Sequence, residues 1–195
     1  MQKVTLAELK QFATNSRDAL WQQAQSLDRD VKLYLHWSAG HYGQFFDDYH
    51  INIDQDGSIY VSTTDLSAHL SHTYMRNTGA VGIALACCAG ANTNDLGAEP
   101  PTAAQIESMA QVVAVLCGAL NLTCDANRVM THGEAGNNLD GINPGYEDNG
   151  YPDGKYGPGF SCERWDLYFL ANGQAPWSGG DTLRGKANFY INKGV

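Results

Sequence analysis

The chain has 195 residues, enough for one domain with a full hydrophobic core, and nothing in its composition marks a second. Its 21 Asp and Glu outnumber 12 Lys and Arg, and the formal charge of −9 excludes nonspecific attraction to nucleic acid or to an anionic membrane surface. The five cysteines (Cys87, Cys88, Cys117, Cys124 and Cys162) are an odd number without a C-x-x-C pair, so a zinc ribbon or redox motif is excluded and buried thiols are expected.

No apolar leader follows Met1, and no apolar run is read as long enough to span a bilayer. A product made in the cytoplasm without a signal peptide, and without membrane insertion, is the expectation. Abundant glycine and ordinary apolar content favour a loop-rich, enzyme-like globular domain over a helical bundle.

Thr5-Leu6-Ala7-Glu8 has capping-box spacing, and Leu6, Leu9, Phe12, Ala13, Leu20 and Trp21 recur at helical intervals, which predicts a helix within residues 1–30. A buried strand follows from Val31 to His36. It ends in His36-Trp37-Ser38-Ala39-Gly40, where a rigid strand end holds an imidazole at the mouth of a loop. Tyr49 to Val61 alternates as a hairpin around Asp56-Gly57. Adjacent strand residues point to opposite faces, so at most one of Tyr49 and His50 looks towards His36.

Residues 64–79 form a polar loop with His69, His72, Arg76 and Asn77. The small apolar run from Ala80 to Cys88 then reads as a fully buried central strand. Thr102-Ala103-Ala104-Gln105 opens a second helix with an apolar face from Ile106 to Leu120. A short strand, Arg128 to Thr131, delivers His132 into a loop at Gly133-Glu134. Residues 135–159 lack periodicity and have the length of a functional or disordered loop. Ser161-Cys162-Glu163-Arg164-Trp165-Asp166 is dense in metal-ligand types and charges, and the stretch from residue 173 to 195, with Gly179-Gly180, is expected to pack back on a core spanning 31–172.

Two strand-end histidines with a carboxylate are the ligand types of a catalytic zinc site, where three protein ligands leave a fourth position for water. The spacing alone does not fix such a site. In order, His36-Trp37-Ser38-Ala39-Gly40, Tyr49-His50-Ile51-Asn52-Ile53, His72 before Asn77, Val81-Gly82-Ile83, Thr131-His132-Gly133-Glu134 and Arg164-Trp165-Asp166-Leu167 resemble the zinc-dependent N-acetylmuramoyl-L-alanine amidases of type 2, relatives of peptidoglycan recognition proteins and phage endolysins.

The resemblance implies an α/β fold with a single mixed β-sheet core flanked by helices, and Zn²⁺ held by His36, His132 and Asp166, with Cys162 the rival third ligand. It implies Tyr49 and Arg164 as catalytic residues, and Trp37, His72 and Asn77 as substrate contacts, with His69 able to exchange roles with His72. The implied partner is peptidoglycan or a muropeptide; a monomer is expected, and the missing leader fits release to the cell wall through a holin or a secretion machine, or a cytoplasmic enzyme that recycles soluble muropeptides. A muropeptide-binding module without catalysis and a cysteine amidase using Cys87, Cys88 or Cys162 with His132 are the alternatives. Two departures stand out: Ala84 replaces an acidic residue found on the central strand of some relatives, and Arg164 replaces the commoner Lys, which a guanidinium cannot match as a proton donor.

Overall fold

In the computed structural model, residues 1–92, 95–136 and 165–194 are described. Strands β1 (Gln2–Val4), β2 (Lys32–Trp37), β3 (Ile51–Ile53), β4 (Ile59–Val61), β5 (Ala80–Leu85) and β6 (Val129–Thr131) form one sheet in the order β1-β4-β3-β5-β2-β6. The pairs β1–β4 and β3–β4 are antiparallel; β3–β5, β5–β2 and β2–β6 are parallel. The sheet is therefore mixed, as the resemblance implies, and its parallel half holds both strand-end histidines.

Helices α1 (Leu6–Gln25) and α2 (Ala103–Leu120) start where their polar caps place them. Thr5 with Glu8, and Thr102 with Gln105, each complete a reciprocal capping box. Asn121 ends α2 in the left-handed conformation, which a short amide side chain tolerates. By length and composition α2 is apolar enough to cross a membrane, contrary to the sequence expectation that no run reaches that length, and 67% of it is buried inside the fold. Its apolarity is spent on packing between the sheet, α1 and α4 (Ser178–Lys193).

Leu33, Leu35 and Trp37 alternate into the main core with Val81, Ile83 and Leu85 of β5 and the apolar sides of α1, α2 and α4. Tyr34 belongs to a separate small cluster with Ala80, Met130 and Ala135 on the other face. That second face, shared by Tyr34 and His36, carries the polar side chains discussed below.

Three elements differ from the expectation. β1 is an edge strand of only three residues, too short for periodicity to reveal. His132 opens a short helix, α3 (His132–Gly136), in place of a loop, because Thr131 and Glu134 form their own capping box: the Glu134 N–H donates to Thr131 Oγ1 at 3.1 Å and the Thr131 N–H to Glu134 Oε2 at 2.9 Å. The C-terminal segment forms the helix α4, which packs against α2 and β6. The Gly179-Gly180 pair near its start is a poor helix former, yet a Cβ at Gly179 would lie 1.8 Å from the Leu167 carbonyl oxygen, and one at Gly180 2.5 Å from Glu134 Oε1. Close approach is what these two glycines provide. Residues 137–164, including most of the predicted 135–159 loop, lie outside the described residues.

His50 ties β3 to β5 beneath this polar face. Its Nδ1 accepts the Gly82 N–H at 3.1 Å, so the proton sits on Nε2, which donates to the Ala68 carbonyl at 2.8 Å. Burial pushes its pKa from 6.5 down to about 4. The folded protein therefore binds fewer protons than the unfolded chain between these values, and stability present above about pH 6.5 should be lost as pH falls towards 4. At about 1.4 kcal/mol per unit the loss from this ring is on the order of 3 kcal/mol. Urea unfolding at pH 7 and pH 4.5 should show the fall, and His50→Gln should make it shallower.

Candidate metal centre

The register of three parallel strands builds the site. Leu35 pairs with Thr131 across β2 and β6, so the next residues, His36 and His132, arrive side by side at the same edge of the sheet. This is the carboxyl end of the strands, where parallel sheets leave a crevice for ligands. His36 itself is opposite Ala84 of β5. A fully buried methyl thus stands next to His36 where some amidases place a carboxylate.

Asp166 comes from the turn that follows residue 164, and the Gly133 N–H donates to its backbone carbonyl at 3.2 Å, which ties the two ligand-bearing turns together. His36 Nδ1 lies 3.1 Å from His132 Nδ1 and 3.3 Å from Asp166 Oδ2, and His132 Nδ1 lies 3.2 Å from the same oxygen. The three side chains are buried, at 0%, 8% and 2% exposure. Among the described residues they form the cluster of His, Cys, Asp or Glu able to hold a metal ion.

The edges of this triangle match a known geometry. Three corners of a tetrahedron with bonds of about 2.0 Å, the usual zinc–nitrogen length, are about 3.3 Å apart. Burial, then the neighbouring His132 and His72, hold the His36 pKa well below its ordinary value, so its imidazole is neutral at pH 7, the form that ligates a metal. The donor set and its spacing fit Zn²⁺.

A cleft of about 220 Å³, lined by Trp37, Ser38, Ala39, Asp48, Tyr49, Ser71, His72, His132 and Asp166, opens on the cluster. The half-buried Tyr49 ring lies with its centroid 5.0 Å from that of His36. His50, just before β3, stands edge-on to His72 with ring centroids 5.6 Å apart and makes its hydrogen bonds to the backbone of Gly82 and Ala68. Trp37 borders the cleft at 3% exposure and stands edge-on to Trp165 at 4.5 Å, so it is wall and core together.

His72 is drawn in over β5 because Gly82 has no side chain: a Cβ there would lie 2.5 Å from His72 Cγ. Asn77 contributes by accepting the N–H groups of His72 and Thr73 at 3.1 and 2.8 Å through its Oδ1. The resemblance implied a substrate contact for Asn77; its described bonds hold the loop that carries His72. His69 is exposed and near Thr78, so the inward position belongs to His72. A second cavity of about 350 Å³, lined by Ser71, His72, Thr73, Tyr74, Met75, Asn77 and His132, adjoins the first. Arg164 and Cys162 lie outside the described residues.

Sequence reading missed the ion pair behind His132. Arg184 of α4 makes two 2.8 Å bonds to the carboxylate of Glu134 and a third, at 2.9 Å, to the Val129 carbonyl. Burial opposes its charge, but the bonds to Glu134 and Asp181 outweigh that and raise its pKa. The T-x-x-E spacing of Thr131 and Glu134 was the available signal; the partner 50 residues away had none. Arg184→Met alone should cost about 3–5 kcal/mol in urea unfolding, because Glu134 is left buried and unpaired, and adding Glu134→Leu should recover much of the loss.

A protein-family model described as N-acetylmuramoyl-L-alanine amidase matches residues 8–147, which includes His36 and His132 and stops short of Asp166. Among solved structures, an endolysin N-acetylmuramoyl-L-alanine amidase from Clostridium intestinale is similar with a TM-score of 0.41 and 21% identity, over 53% of this chain and 68% of that one. No curated protein sequence matches.

Proposed function

Since the chain belongs to the N-acetylmuramoyl-L-alanine amidase family, we propose that it is a zinc-dependent hydrolase of peptidoglycan, cutting the amide between the lactyl group of N-acetylmuramic acid and the L-alanine of the peptide stem. The observation that carries this reading is the convergence of His36 Nδ1, His132 Nδ1 and Asp166 Oδ2 beside an open cleft. When bound, a zinc ion supplies activation of water near neutral pH and polarisation of the scissile carbonyl.

The remaining work falls to side chains. Tyr49, across from His36, orients the attacking water or donates to the oxygen on which negative charge develops. Arg164, two positions before Asp166 in the chain, supplies a fixed positive charge for that oxygen. Trp37 and His72 form the wall against which the muramyl-peptide lies. The substrate is a wall polymer, so the proposed place of action is the cell wall, reached through a holin or a secretion machine.

Two other readings have less support. A binding module without catalysis has no use for three intact ligands, all of which are present. A cysteine amidase needs an accessible thiolate, whereas Cys87 and Cys88 are fully buried and burial pushes the Cys88 thiol pKa up; Cys162, the third candidate, lies outside the described residues.

Digestion of purified sacculi should release new L-alanine amino termini, and the activity should vanish with a chelator, return with Zn²⁺ and resist thiol alkylation. His36→Ala should lose both bound zinc and turnover; wild-type rates from that variant would contradict the assignment. Tyr49→Phe should retain zinc and lose about a hundred- to thousandfold in turnover.

A further inference from the structure

The outer nitrogen of His36 has a partner that neither the family match nor the sequence assigns. His36 Nε2 lies 3.3 Å from Thr73 Oγ1, and the same hydroxyl lies 3.0 Å from His72 Nδ1. All three side chains are buried, so the order of protons along this chain is a matter of counting. His36 turns Nδ1 to the ligand cluster, which leaves its proton on Nε2 to donate to Thr73. The threonine hydroxyl then has one proton of its own to give, and His72 Nδ1 is there to accept it. The proton of His72 consequently resides on Nε2.

That atom is buried and has no hydrogen-bond partner among the described residues, and its ring borders both cavities. Its place is set from two sides: Gly82 admits the ring, and Asn77 grips the His72 and Thr73 backbone. The hydroxyl is thus held in position by the loop.

We propose that Thr73 is a positioning residue that sets the tautomers of His36 and His72 together, turning the His36 lone pair to the metal and the His72 Nε2–H to the cleft as a donor to a carbonyl or carboxylate oxygen of the muramyl-peptide. The His36 half rests on the metal-centre reading above. The His72 tautomer does not, although the identity of the group it meets rests on the proposed substrate.

The test uses Thr73→Val, which keeps the shape and removes the hydroxyl, beside Thr73→Ser, which restores it. Zinc affinity is measured against a competing chelator, and ¹⁵N NMR of the imidazoles reports the tautomers at neutral pH in metal-free and zinc-loaded protein. The wild type should bind one zinc and show His72 as the Nε2–H tautomer in both forms. Thr73→Val should bind zinc about 10- to 100-fold more weakly, the usual effect of losing an outer partner of a ligand, and should show mixed His72 tautomers. Thr73→Ser should return both readouts towards wild type.

Wild-type affinity and unchanged His72 signals in Thr73→Val would overturn the proposal, as would a Thr73→Ser protein as impaired as Thr73→Val, since the hydroxyl would then not be the cause. A wild type that takes up no zinc would overturn the metal-centre reading and the His36 half with it. The His72 signals of the metal-free protein would still decide the other half.

Discussion

Three lone-pair-bearing atoms within 3.3 Å of one another, in side chains almost closed to water, repel unless something positive sits among them. A proton can relieve one edge of that triangle. A divalent cation relieves all three, and the atoms already stand at the corners its coordination requires. Desolvation keeps His36 neutral at pH 7, which removes the competing proton from the ligand face. The remainder of the fold can be understood as the apparatus that forces these atoms together.

The first part of that apparatus is strand register. Parallel pairing of Leu35 with Thr131 carries two imidazoles to one edge of the sheet, and any slip by one residue would send one of them to the opposite face. The second part is the brace of α4. Gly179 meets the Leu167 carbonyl, Gly180 meets the Glu134 carboxylate, and Arg184 grips Glu134 and the Val129 carbonyl. One helix thereby bears on the turn after His132 and on the turn after Asp166. Leu167 itself holds φ at 57°, a left-handed conformation that a branched side chain adopts at a cost, and the contact at Gly179 helps to sustain it.

What the sequence disclosed follows the distinction between local and distant causes. The two long helices were legible because Thr5 with Glu8 and Thr102 with Gln105 announce their starts within a single turn. The hairpin was legible from Asp56-Gly57, and His36 and His132 from the apolar strands that end in them. Asp166 was located through family resemblance, since no local pattern marks a ligand that arrives from a turn. The α3 helix was announced by Thr131 and Glu134 but masked by the glycine between them. The α4 helix begins at a left-handed Trp177 without a side-chain cap, so nothing at its start separates it from a loop. The bonds of Thr73 to His36 and of Arg184 to Glu134 join residues that chain proximity does not connect.

The order of these parts along the polypeptide bears on biosynthesis. His36 leaves the ribosome early, yet its partners follow about a hundred residues later, and the helix that clamps them reaches residue 193. A nascent chain halted anywhere before Arg184 would lack the clamp, whatever else had already folded. The turn after His132 therefore acquires its brace only once translation has passed Arg184, whatever order the sheet itself forms in.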